Sequence, residues 1–89
     1  MKQWTGKELA EHVLKYHKTN NTLILARIYG FEINHMVSVD TPAAYIIHDD
    51  GRKEILVDLA MPPHLSIFHI GRQFALYLLE HPEQIMGVD

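Results

Sequence analysis

The sequence predicts a small single α+β domain spanning 1–89: two N-terminal helices, a three-stranded sheet that includes a hairpin, and a long core helix. Three observations carry that expectation. The run SIFHIGRQFALYLLEH at 66–81 repeats apolar residues at three- and four-residue spacing. Asp49-Asp50-Gly51-Arg52 separates two β-like runs, and Asp-Gly in that setting marks a hairpin. Trp4-Thr5-Gly6-Lys7-Glu8-Leu9 has the form of a helix start.

In that start, Thr5 and Glu8 have capping-box spacing, and with Thr5 as cap, Trp4 and Leu9 occupy the two positions of a hydrophobic staple. Trp4 is therefore read as packing rather than as a ligand contact. Leu9, Val13 and Tyr16 continue an apolar stripe, and the helix is expected to run to about residue 18, with Thr19-Asn20-Asn21 as the break. A second helix is expected over 22–29, capped by Asn21 and stopped by Gly30, although Thr22-Leu23-Ile24-Leu25-Ala26 has strand propensity too. Phe31-Glu32-Ile33-Asn34 then alternates as a strand.

The loop Val39-Asp40-Thr41-Pro42 leads to β-like runs at 43–48 and 53–57, whose alternation lets one face rest on the last helix. Met61-Pro62-Pro63 is a stop signal before that helix. Ile67, Ile70, Phe74 and Leu78 form its main stripe, with Phe68, Ala75 and Leu79 beside it, so most of its circumference is expected to be covered.

Composition narrows the function classes. Hydrophobic residues make up 47% and charged residues 21%, ordinary values for a chain that folds by itself. There are no cysteines, hence no disulfides and no thiolate metal ligands. No apolar run reaches the ~18 residues of a membrane span, and the N-terminus lacks a signal-peptide pattern, so an intracellular, cytoplasmic protein without a membrane partner is expected. The net charge is −3 with the basic residues scattered, which disfavours direct nucleic-acid binding because phosphate contacts need a clustered positive face.

Phe68-His69-Ile70-Gly71-Arg72-Gln73-Phe74-Ala75-Leu76-Tyr77-Leu78-Leu79 resembles the zinc helix of the ImmA/IrrE-type peptidases, whose pattern is roughly F-T-x-A-H-E-x-G-H-x-L-L. The segments LARIYGFEIN and Ile-Leu-Val-Asp-Leu followed by Pro-Pro extend the likeness over about 22–81. It implies a minimal zincin-like core. Zinc chemistry on such a helix needs two His one turn apart and a Glu beside the first. Those positions here hold Arg72, Gln73 and Leu76: a permanent cation without a lone pair, an amide that cannot take a proton, and a side chain with no heteroatom. The family's further acidic ligand lies well downstream, where this sequence offers only Glu83 and Asp89. The resemblance thus implies a shortened, catalytically degenerate member, from a phage or mobile element.

The seven histidines, His12, His17, His35, His48, His64, His69 and His81, are separated by 5, 18, 13, 16, 5 and 12 residues. None of these matches the two, three or four residues that place two ligands together on a strand or helix. Ser38 and Ser66 lack a nucleophile-elbow setting, and no Gly-rich phosphate loop is present. No metal, no cofactor and no enzymatic activity are expected.

The expected function is protein binding. His69, Arg72, Gln73, Leu76 and Glu80 succeed one another on the core helix and, with Tyr77, are the candidate binding residues. The same stripe can instead face water or the first helix, and Tyr77 can be core. The resemblance implies a helix-turn-helix repressor or host regulator as partner; self-association is left open. The alternatives are a residual metallohydrolase using His69, His64 or His81, and an antitoxin-like, DNA-binding regulator.

Overall fold

The computed structural model describes residues 3–38 and 40–88. Helix α1, Gly6–His17, begins as its sequence dictates: Thr5 Oγ1 accepts the Glu8 N–H (3.1 Å) and Glu8 Oε1 accepts the Thr5 N–H (3.2 Å). Two N–H groups that the first turn leaves unpaired are thereby satisfied. Leu9 and Val13 are its buried residues, and Trp4 packs against the core beside them. Helix α2, Thr22–Ile28, is capped by Asn21, whose Oδ1 accepts from Leu23 and Ile24 at 3.0 and 3.2 Å. Gly30, at φ +88°, turns the chain at once into the sheet. A residue with a Cβ is strained there.

Strands β1 (Phe31–Met36), β2 (Ala43–Ile47) and β3 (Lys53–Asp58) form one sheet in the order β1-β3-β2. β3 is central, parallel to β1 and antiparallel to β2. The expected hairpin joins β2 to β3, closed by His48 N–H to Arg52 O (2.8 Å) with Gly51 at φ +91°. Phe31, Ala43, Tyr45, Ile55 and Val57 face the helices. Alternate residues put Glu32, Asn34, Ala44, Ile46 and Glu54 on the opposite face. There Glu54 accepts from Asn34 Nδ2 at 2.7 Å and from His48 Nε2. Val39, read from the sequence as part of the preceding loop, lies outside the described residues, as does Asp89.

Helix α3, Pro63–Glu80, starts three residues before the expected 66. Proline is tolerated in a first turn, because the N–H it lacks has no intrahelical acceptor there. The helix buries Ile70, Phe74, Tyr77 and Leu78 against the sheet and the other helices. The expectation that most of its circumference is covered is wrong: Ile67, Phe68 and Leu79 are exposed. α3 lies across β3 and β2, α2 covers β1 and α1 closes one flank, and none of the described elements covers the side facing away from the sheet, where Phe68 and Leu79 lie. Ile67 shares the inner line with Ile70 and Phe74 and is exposed near the N-terminal end of the helix. A short 3₁₀ turn, Pro82–Gln84, returns the chain so that Ile85 is buried and Met86 reaches Tyr29 and His12. Among the described residues no helix is long and apolar enough to cross a membrane.

Candidate functional site

Of the six candidate residues, His69, Arg72, Gln73, Leu76 and Glu80 fall on one side of α3, and Tyr77 does not. With 100° between successive residues, the buried Ile70, Phe74, Tyr77 and Leu78 define the inner side of α3, and Arg72 and Leu76 fall opposite them. Leu76 is 43% exposed and lies at the surface. His69, Gln73 and Glu80 lie on the flank toward β2, where Glu80 accepts the Tyr45 hydroxyl. His69 and Gln73 are half-buried. Tyr77, put forward as a binding anchor, is 3% exposed and belongs to the core. Its ring meets Phe31 at 4.9 Å and Tyr45 at 5.7 Å, and Lys53 Nζ approaches its hydroxyl at 3.4 Å. No partner reaches Tyr77 while α3 is in place.

On the outward face, Phe68 and Leu79, which the sequence reading assigned to the covered side, join the candidates Arg72 and Leu76. Leu65, Phe68, Arg72, Leu76 and Leu79 follow at steps of three, four, four and three, which is one line along a helix. Phe68 is 58% and Leu79 38% exposed. Arg72 holds its guanidinium 6.0 Å from the Phe68 ring centroid, and no carboxylate among the described residues pairs with it. The signal was available as this spacing, but it is read only once the direction of the core is known. The outward side of α3 is thus an apolar ridge of about four leucine-sized groups around one unpaired cation.

The zinc chemistry of the resemblance does not fit these residues. Arg72 and Leu76 stand where the resemblance would set two His ligands, and neither offers a lone pair. Among the described residues, no group of three or more His, Asp or Glu side chains is gathered closely enough to hold a metal ion. At the sheet edge, burial first, and then the hydrogen bond to Glu80, push the Tyr45 hydroxyl up to about 12, so it remains a donor across the neutral range.

The chain also has a cleft of about 290 Å³ on the far flank of α3, bounded by Leu9 and Val13 of α1, Leu25 of α2, and Phe74 and Leu78 of α3. Thr22 and Gly71 touch at its floor: a Cβ on Gly71 would stand 3.2 Å from Thr22 Cγ2. Thr22 Oγ1 is buried there without a hydrogen-bond partner. An unsatisfied buried hydroxyl costs about 1–3 kcal/mol, so Thr22→Val is expected to stabilise the domain by about 1 kcal/mol. A thermal melt reads this as a rise of roughly 4–8 °C, and a fall in the midpoint would show that the hydroxyl is bonded in solution. The cleft holds no charged side chain and none of the six candidate residues.

No protein-family model matches the chain, and neither the curated proteins nor the solved structures contain a detectable match to it.

Proposed function

We propose that this chain is a non-catalytic module that binds another protein through the outward face of α3, acting inside the cell as a regulator. The observation that carries the reading is the ridge Leu65, Phe68, Leu76 and Leu79 around Arg72. An amphipathic helix normally turns polar residues to solvent, and a helix apolar on both sides has a second surface to bury. A partner suited to it presents apolar side chains around a carboxylate: burial supplies affinity, and an Arg paired on docking supplies orientation. A helix laid along the ridge has those properties. The resemblance to a degenerate ImmA/IrrE-type peptidase supports the same reading from another side, and points to a helix-turn-helix repressor or host regulator as the bound protein.

The test is affinity capture from the native host with the wild-type chain, Phe68→Asp and Arg72→Ala, followed by binding of the captured protein in purified form. All three chains are expected to fold, since both side chains are at the surface. One protein bound by the wild type, weakened at least tenfold by Phe68→Asp and measurably by Arg72→Ala, supports the assignment. Equal binding by all three chains overturns it.

A further inference from the structure

We infer that two copies of this chain associate through the free edge of β2, forming a continuous six-stranded sheet with the two α3 helices side by side upon it. The argument begins with the hydrogen-bond alternation of the hairpin. Asp58 N–H bonds Pro42 O at 2.9 Å and His48 N–H bonds Arg52 O at 2.8 Å. In an antiparallel ladder, bonding residues alternate, so residues 42, 44, 46 and 48 face β3 while Ala43, Tyr45 and Ile47 direct their N–H and C=O groups away from it. Among the described residues no strand pairs on that side.

Natural sheets guard such an edge with charge, proline or a bulge. β1, at the opposite edge, carries Glu32 and His35; β2 reads Ala-Ala-Tyr-Ile-Ile and carries no charge. The outward groups are also symmetric about Tyr45. An antiparallel partner with Tyr45 opposite Tyr45 sets Ala43 against Ile47 twice, so all three residues of each copy bond across the seam. Ala44 and Ile46 become neighbours on the opposite face, and within the two strands no like charges meet. This is the self-complementarity that a twofold interface requires.

The helices fit the same arrangement. α3 lies across β3 and β2, about one strand spacing from the seam, so two copies stand about 10 Å apart, the distance at which helices pack. α1 closes the other flank of α3 and does not intrude. The flank turned to the seam is the one bearing His69, Gln73 and Glu80, with Leu76 at its margin. Tyr45, the residue on the axis, gives its hydroxyl to Glu80 and so anchors this flank of the helix beside the seam strand. The strip is roughly 27 Å by 15 Å in each copy, about 800 Å² in total, below the size of stable specific interfaces, and the association is accordingly weak and reversible.

The proposal does not rest on the ridge, since Phe68 and Arg72 stay outside the seam. Sedimentation of the full chain at concentrations on the order of 10 to 500 µM, the range that reports micromolar dissociation constants, is the test. The wild type is expected to move toward twice its monomer mass. Ile47→Pro is expected to stay monomeric with an unchanged circular dichroism spectrum, because the N–H it removes bonds nothing within the subunit. Should that variant misfold, Ile46→Lys, which charges the exposed edge, is expected to stay monomeric in its place. A wild type that remains monomeric throughout overturns the inference, as does a dimer that survives the edge substitutions and is dissociated by Phe68→Asp.

Discussion

Leu78→Ala is expected to cost about 3–5 kcal/mol, whereas Leu76→Ala, two residues earlier in the same helix, is expected to cost less than about 1 kcal/mol. Leu78 has no exposed surface and packs among Phe74, Leu9 and Leu25, so truncation removes three carbons from a place that the surrounding helices cannot collapse to fill. Leu76 is almost half exposed and leaves no void. A domain of this length is stable by only about 5–10 kcal/mol, so the first variant loses a large share of its stability and the second stays near wild type. Urea midpoints followed by circular dichroism separate them. Equal losses would mean that α3 is rotated from the orientation described, and the outward ridge would go with it.

The parts of the fold legible in the sequence are those set by a side chain acting on nearby backbone. Thr5 with Glu8, Asn21 and Gly30 each satisfy or release specific backbone groups within a few residues, and all occur where the sequence places them. The Asp-Gly hairpin belongs with them. Strand order is different in kind. Alternation tells which residues share a face and says nothing about which strand lies beside which, so the central place of β3 emerges only from the assembled sheet. The candidate site was half legible for a similar reason. Spacing alone put Arg72 and Leu76 near Tyr77, but these residues part company once the sheet fixes which way is inward, and Phe68 then moves from core to surface. The docking of Ile85 and Met86 left no periodic trace, because a tail held by a few long-range hydrogen bonds has no repeating pattern to read.

That tail supplies the second large effect: Gly87→Ala is expected to cost about 2 kcal/mol and to make the last residues sensitive to protease. Gly87 has φ +79°, a conformation that costs a residue with a Cβ about 1–2 kcal/mol, and a Cβ there would also collide with the Tyr16 ring. The chain escapes by lifting the segment away, which loses the buried Ile85 and two bonds at Met86: its N–H to Tyr29 Oη (3.1 Å) and its carbonyl, which accepts from His12 Nε2 (2.8 Å). The Tyr29 hydroxyl, accepting from Met86, also stands 2.9 Å from His17 Nε2, so the tail, Tyr29 and His17 form one packed cluster. Burial, and then the nearby His12, lower the His17 pKa from its ordinary 6.5. The unfolded chain therefore takes up a proton that the folded chain refuses, so this contribution is complete above pH 6.5 and erodes as pH falls through 6.5 toward the lower folded value. The Glu54 carboxyl, held below its ordinary 4.5 by Asn34 and then His48, acts in a separate, more acidic window and in the same direction. Urea midpoints at pH 7.5 and 5.5 are expected to fall more steeply for the wild type than for Gly87→Ala, whose lifted tail relieves part of the burial that lowers the His17 pKa. Parallel slopes in the two proteins would place the pH dependence elsewhere than in the tail clasp.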